Sequence, residues 1–203
     1  MEPRVIQQWL EVFGFGSASL QTALSNRTFE ESAGVIGSGK REGDYLPPIR
    51  SVERKLFGIG QGSFRATPLQ VANAYAAIAR GGYFQKSKVF TSDPVDTGHS
   101  LKLHNEYLNA IYDGMYAVVN ENGGTAASQF VGAGFDSRGI KVYGKTGSTE
   151  RPFHAWFAGF AKDKSQNTIA FSVIVEGGQH GGSDAGPIAR DIIALCIEQG
   201  YLK

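Results

Sequence analysis

The chain has 203 residues, of which 41% are hydrophobic, 19% are charged and 27 are glycine, a composition typical of a globular protein and not of a fibre or a disordered tail. Twenty Lys and Arg against nineteen Asp and Glu leave a formal charge of +1, so we expect no nucleic-acid partner. The longest apolar runs, 74–79 and 192–197, have six residues each, whereas about 20 are needed to cross a bilayer. A basic segment followed by an apolar core does not open the sequence, so we expect any export signal or membrane anchor to lie outside it.

Helices are predicted in the first part of the chain. Apolar residues at helical spacing, from Ile6 to Phe13, predict a helix over residues 3–13 that ends at Gly14. Residues 14–50 are rich in Gly, Ser and Pro and predict a long irregular segment. The segment 34–40 resembles a phosphate-binding loop, but Arg41 stands where that loop needs a hydroxyl, which argues against nucleotide binding.

Two further helices have clear starting signals or clear periodicity. Thr67, Pro68 and Gln70 predict a capping box at the start of a helix that runs to Arg80, and its many alanines predict that it is buried. A helix is also predicted over residues 105–120, because its apolar residues share one face. These residues are Leu108, Ile111, Tyr112, Met115 and Val119.

The last part of the chain changes to short runs of β type. Residues 140–147, 153–161 and 168–176 predict three consecutive antiparallel strands. A final helix is predicted from Pro187 to Gly200. The expected fold class is therefore α+β, with helices packed on an antiparallel sheet.

Most catalytic signatures are absent from the sequence. The four histidines show no metal-ligand spacing, and the single Cys196 excludes a Cys-rich zinc site. A Gly-x-Ser-x-Gly elbow is also missing. We therefore expect no metal and no cofactor.

One segment, residues 145–148, places four suitable residue types at the end of a predicted strand. Lys145 can supply a positive charge, and Thr146 and Ser148 can supply hydroxyls to a carboxylate. Gly147 leaves room for a ligand backbone to lie against the strand. This pattern predicts a site for an anionic peptide, although an exposed lysine before a turn would give the same triplet.

The surroundings of this triplet resemble the transpeptidase domain of penicillin-binding proteins, class B, in which a Lys-Thr-Gly strand lines the active site. The strand at 153–161 follows it as in that family, and four other segments agree in order. These are residues 13–16, residues 59–62 with 67–72, residues 115–119 with 124–126, and residues 185–189. The resemblance covers nearly the whole chain and implies one partial transpeptidase domain over residues 1–203.

Two of the three motifs of that family do not occur at their expected places. No serine is followed three residues later by lysine, so the Ser-x-x-Lys nucleophile motif is missing. Ser165, Gln166 and Asn167 match Ser-x-Asn, but they follow the Lys-Thr-Gly strand and predict a hairpin turn. The chain therefore resembles the C-terminal portion of a transpeptidase domain and should be inactive alone.

The resemblance also implies roles for individual residues. Lys145 would face the absent Ser-x-Asn motif, Thr146 and Ser148 would bind the substrate carboxylate beside Gly147, and the Ser148 backbone amide would be one of two oxyanion-hole donors. His154 and Trp156 share a face of the next strand and are either part of the cleft wall or ordinary strand packing.

The implied partners follow from the same resemblance. They are a peptidoglycan stem peptide ending in D-alanyl-D-alanine, β-lactams and proteins of cell-wall synthesis. The implied place is the extracytoplasmic face of the bacterial inner membrane, reached through a region outside this sequence.

Two functions remain open at this point. The chain is either part of a D,D-transpeptidase or an inactive truncated homologue that binds a peptide or serves as a scaffold. Exposed apolar surface separates them, because a piece that lacks the nucleophile-bearing helices should leave an apolar face uncovered.

Overall fold

The computed structural model describes residues 2–20, 31–38, 43 and 45–203. Helices and strands divide between two compact units, the first formed by Met1–Ala77 with Tyr83–Leu101 and the second by Ile78–Gly82 with Lys102–Lys203. In the described residues, no helix is both long enough and apolar enough to cross a membrane.

The first unit contains short elements joined by irregular chain. Helix α1 (Pro3–Val12) has the predicted start and ends one residue early, and the described part of 14–50 holds only one short strand, β1 (Val35–Ile36), which pairs antiparallel with β2 (Phe64–Arg65). Residues 39–42, which include the end of the phosphate-loop resemblance, lie outside the described residues. The elements are α1 (Pro3–Val12), β1 (Val35–Ile36), a 3₁₀ turn (Ser51–Glu53), α2 (Arg54–Phe57), β2 (Phe64–Arg65), α3 (Pro68–Ala79), β3 (Tyr83–Phe84) and β4 (His99–Ser100).

Helix α3 begins with the predicted capping box. The Thr67 amide donates to Gln70 Oε1 at 2.9 Å, and the Gln70 amide donates to Thr67 Oγ1 at 3.1 Å. The predicted burial of this helix holds only in part, since Gln70 and Asn73 are buried while Leu69 is exposed. The amide side chains are buried because they bind backbone groups of the surrounding irregular chain.

Three buried amides join distant segments of the first unit. Gln7 Nε2 donates to the carbonyls of Ile36 at 2.7 Å and Pro47 at 2.6 Å. Gln70 Nε2 donates to the carbonyls of Ser17 at 2.9 Å and Ala33 at 2.8 Å. Asn73 joins a third pair of segments. Its Nδ2 donates to the Ser19 carbonyl at 3.3 Å, and its Oδ1 accepts from Ser87 Oγ at 2.5 Å. Each side chain therefore joins segments distant in sequence.

The second unit contains the predicted sheet. Strands β5 (Lys141–Glu150), β6 (Phe153–Lys162) and β7 (Thr168–Glu176) pair antiparallel in the order β5-β6-β7, as expected. Strand β5 extends to Glu150, beyond the predicted end at Gly147. Residues 165–167, the apparent Ser-x-Asn match, lie in the turn between β6 and β7.

Helices cover this sheet and its edge. Helix α4 (Asn105–Asn120) has the predicted bounds and packs on β5, with α5 (Ala127–Phe130) and a 3₁₀ turn (Asp136–Arg138) following. A π-helical turn (Gly181–Ala185) leads into α6 (Gly186–Glu198), which begins one residue before the predicted start and ends before Gly200. One face of the sheet forms the core with α5 and α6. Its largest members are Val119, Phe130, Phe135, Ile140, Val142, Phe157, Phe171, Val173, Ile193 and Leu202. The α+β class with an antiparallel sheet is thus confirmed.

Candidate functional site

The Lys-Thr-Gly segment lies on β5, one of the two edge strands of the three-stranded sheet in the described part of the chain. We call residues 145–148 the Lys145 platform. Because side chains alternate along a strand, Lys145 shares a face with Gly147, and Thr146 shares the opposite face with Ser148. Lys145 is exposed, and its Nζ donates to the carbonyl of Thr146 at 2.8 Å.

Aromatic side chains support the face that carries Lys145. Tyr143 stacks on Phe160 with ring centroids 4.7 Å apart, and both contact Tyr112 of α4. The Tyr112 hydroxyl donates to the Ile78 carbonyl at 2.6 Å. Burial raises the pKa of Tyr143, with nearby acidic groups adding to the effect. The strand therefore lies against a packed aromatic layer of the second unit.

Thr146 is bound by a residue outside β5. Thr125, between α4 and α5, places its Oγ1 at 2.8 Å from Thr146 Oγ1. The preceding Gly124 is essential to this approach, since an added Cβ would collide with the carbonyls of Ala117 and Val118. The Ala126 amide also donates to the Val118 carbonyl at 3.0 Å, which fixes the segment that carries Thr125.

The glycine-rich segment after β7 borders the platform. The Gly181 amide donates to Ser148 Oγ at 3.2 Å. A Cβ at Gly181 would collide with the carbonyls of Gly147 and Trp156, and one at Gly182 would collide with the Thr125 carbonyl. These contacts place the glycine-rich segment directly against the platform.

Asp184 holds this segment in shape. Its carboxylate accepts from Ser183 Oγ at 2.7 Å and from the amides of Gln179 at 2.7 Å and His180 at 3.2 Å. The hydrogen bond from the Ser183 hydroxyl, followed by those from the His180 and Gln179 amides, lowers the pKa of Asp184 below its ordinary value. The ionised carboxylate is therefore the form that stabilises the turn against the platform.

His154 and Trp156 lie on β6 beside the platform, on one face as expected. Trp156 is half-buried opposite Gly147, where an added Cβ would lie 3.3 Å from the Trp156 Cβ. His154 is opposite Thr149, and its amide donates to Thr149 Oγ1 at 3.0 Å. Its Nδ1 is buried with no hydrogen-bond partner among the described residues. Both residues thus border Gly147 on the face that carries Lys145.

Two contributors to the platform had no role assigned from sequence. Thr125 belongs to a matched segment, and Gly181 to a glycine-rich one, but neither position has a periodic signal that connects it to β5. The pair of small residues at Gly181 and Gly182 was the available sign, because adjacent glycines permit close backbone contact.

The sheet, its covering helices and the Lys-Thr-Gly edge strand define the class of penicillin-binding transpeptidase folds. Residues 2–194 match the family described as the penicillin binding protein transpeptidase domain. The chain belongs to this family, which confirms the resemblance found in the sequence.

Three relatives show how much of a longer protein the chain represents. It is 26% identical to peptidoglycan D,D-transpeptidase MrdA of Haemophilus influenzae, over 96% of this chain and 33% of the relative. It is 29% identical to MrdA of Acinetobacter baumannii, over 89% of this chain and 29% of the relative. A structure of penicillin-binding protein PBP2 from Helicobacter pylori matches all of this chain and 36% of its own, at 26% identity and a TM-score of 0.74, and its complex with MreC matches at a TM-score of 0.71 and 25% identity. The chain thus spans about a third of the curated relatives that it matches.

Proposed function

We propose that this chain is the C-terminal part of a peptidoglycan D,D-transpeptidase whose serine nucleophile lies outside this sequence. The observation that carries the proposal is the Lys145 platform: an edge strand with Lys, Thr, Gly and Ser, held by Thr125 between α4 and α5 and by Gly181 of the π-helical turn. The names of the two MrdA relatives support the reaction. Since the family match runs over residues 2–194, both compact units belong to one transpeptidase domain in this proposal.

The platform residues have complementary tasks in the proposed reaction. Thr146 and Ser148 hydroxyls bind the terminal carboxylate of a D-alanyl-D-alanine stem peptide, and Lys145 supplies positive charge. The Ser148 backbone amide is one donor to the oxyanion that forms when the absent serine attacks the penultimate carbonyl. When this oxyanion collapses, the terminal D-alanine leaves and the acyl group stays on the serine until an amine accepts it. β-Lactams are proposed to enter the same place because they resemble that peptide.

The partners and location are proposed from the relatives. The complex of H. pylori PBP2 with MreC supports a cell-wall protein partner for the parent of this chain. A peptidoglycan substrate requires a site on the extracytoplasmic face of the inner membrane, with any membrane anchor in a region outside this sequence.

Exposed apolar surface on α6 favours a transpeptidase part over a free-standing binding module. Ile188, Ile192 and Leu195 are all exposed and lie at helical spacing on one side of α6. A stripe of this kind needs a cover in the working protein, whereas a free-standing module is expected to have a polar surface there.

The proposal is tested first on the native polypeptide in its source cells, with an antibody against this chain. The expected species is membrane-bound, much larger than 21.8 kDa, and labelled covalently by fluorescent penicillin. This chain alone should form no penicillin adduct by intact mass. A soluble native species of 21.8 kDa without penicillin label would contradict the proposal and favour the binding module.

The second test addresses the platform in that larger native protein. Thr146→Val should lower the rate of penicillin acylation about 10- to 100-fold, the effect of one lost hydrogen bond to a charged group. Lys145→Ala should lower it at least as much. Lys141→Ala is the matched control, because Lys141 is an exposed lysine on the same strand, and it should leave acylation unchanged. Equal rates for all three variants would contradict the proposed carboxylate site.

A further inference from the structure

A second concave site lies in the second unit, between the C-terminal end of α4, helix α5 and the 3₁₀ turn at Asp136–Arg138. It is a cavity of about 680 Å³, within the range of small-molecule sites. Its wall includes the apolar residues Val119, Phe130, Val131 and Phe135 and the acidic residues Glu121 and Asp136.

The inner wall of this cavity is apolar and fixed. Val119, Phe130 and Phe135 are buried members of the core of the second unit. Val131, which also lines the cavity, is 81% exposed. An occupant with an apolar body would therefore cover Val131 while it contacts a surface that the core already holds in place.

The charge of the wall has one sign. Glu121 and Asp136 are its titratable residues, and none of the lining residues is Lys, Arg or His. Helix α4 ends at Asn120 in the same wall, so the negative end of its macrodipole adds to the two carboxylates. A cation is favoured here on both grounds.

The hydroxyl of the neighbouring Tyr116 is affected by these negative charges. Its hydroxyl donates to Asp136 Oδ2 at 2.7 Å. That hydrogen bond, followed by burial and by the negative charges of Asp136 and Glu121, raises the pKa of Tyr116 to about 12. The Asp136 carboxylate, which lines the cavity, is therefore held in place by this hydrogen bond.

We propose that this cavity binds a small organic cation, an amine that carries an aromatic or alkyl body. The ammonium group lies at Glu121 and Asp136, and the apolar body lies against Phe130, Phe135 and Val131. The binding is independent of the Lys145 platform chemistry, since its polar groups are carboxylates and the platform offers a lysine and hydroxyls.

The test is an NMR titration of the ¹⁵N-labelled 203-residue chain with three probes of one shape. These are 4-phenylbutylamine as the cation, 4-phenylbutan-1-ol as the neutral probe and 4-phenylbutyrate as the anion. The amine should bind with a Kd of about 1 mM or tighter for its size, and shift the amide signals of Gly123, Ser128 and Ser137. It should bind about five- to tenfold more tightly than the alcohol, as two exposed charge pairs predict, and the anion should bind least.

Variants separate charge from apolar contact. Glu121→Gln and Asp136→Asn should each weaken amine binding about two- to threefold, leave alcohol binding unchanged, and together remove the preference for the amine. The matched control is Glu106→Gln, in the first turn of the same helix and about 22 Å away along its axis, which should leave all three affinities unchanged. The amide oxygen that Asp136→Asn introduces can still accept from the Tyr116 hydroxyl, so this variant should keep its fold, as its NMR spectrum would show.

Three results would overturn the proposal: no amide shift around the cavity with the amine, equal affinity for all three probes, or an amine preference that survives both substitutions. None of them bears on the proposed transpeptidase function, which is read from penicillin acylation of the larger native protein.

Discussion

The two compact units differ in how their backbone polar groups are satisfied. In the second unit, three strands of nine or ten residues pair in regular register and pack an apolar face against α5 and α6. In the first unit, the strands have two residues each, and the buried amides of Gln7, Gln70 and Asn73 connect irregular segments. Regular pairing leaves few backbone groups to satisfy, whereas irregular chain needs side chains to satisfy them.

The two tryptophans allow this comparison to be tested, because Trp9 lies in the first unit and Trp156 in the second. A Trp9→Phe background makes fluorescence report on the second unit, and a Trp156→Phe background makes it report on the first. Denaturant unfolding in the appropriate background then measures the free energy of unfolding of one unit at a time.

The largest effect is expected from a cavity in the apolar core of the second unit. Phe157 is 0% exposed, so Phe157→Ala should lower the free energy of unfolding reported by Trp156 by about 3–5 kcal/mol. Phe153→Ala on the same strand is the control, because Phe153 is 56% exposed, and it should change little. An equal loss reported by Trp9 would show that the two units unfold as one body and would contradict their separate stabilisation.

A somewhat smaller effect is expected from a buried amide of the first unit. Gln70→Leu keeps the volume but leaves the Ser17 and Ala33 carbonyls without their donor, and should lower the free energy of unfolding reported by Trp9 by about 2–4 kcal/mol. Gln8→Leu, at an exposed position of α1, should be close to neutral. If Gln70→Leu were neutral too, apolar packing would account for the first unit as it does for the second.

The smallest effect is expected at Asp184, because here a turn beside the regular sheet depends on a polar group. The folded pKa of Asp184 lies below its ordinary value of 3.8, so its stabilisation is present in full above that value and is lost as the pH falls through the folded pKa. NMR amide signals of Gln179 and Gly181 should therefore shift with a midpoint below 3.8.

Two variants check this assignment. Asp184→Asn should remove that acid transition and raise amide exchange of residues 179–181 several-fold at neutral pH. Asp191→Asn, which changes an exposed carboxylate on α6, should leave the transition in place. A transition that persists without the Asp184 carboxylate would belong to another group.

The sequence predicted the second unit well because its signals are periodic. The bounds of α4 and β7 agree with the expectation, and the strand that carries Lys145 was found from its residue types. Alternation and helical spacing report which face is buried, and burial determines the packing of this unit.

The first unit shows where such reasoning stops. Asn73 and Ser19 are 54 residues apart in sequence and meet through one hydrogen bond, which no local period reveals. The alanines of α3 suggested an apolar burial, while the irregular chain around it required its amides. The same limit applies to the site, because Thr125 reaches Thr146 through a close backbone approach at Gly124 and not through any pattern on β5.

The contact between the hydroxyls of Thr125 and Thr146 restricts the direction in which each of them donates a hydrogen bond. Each hydroxyl carries a single proton, so only one of the two can donate across the 2.8 Å that separates them. If the Thr146 hydroxyl donates its hydrogen bond to a carboxylate, Thr125 must be the donor in this pair. Binding of an anion would thus fix the direction of both hydroxyl hydrogens at once. Thr125→Val cannot donate a hydrogen bond, so it would leave Thr146 Oγ1 without that donor when the anion is bound.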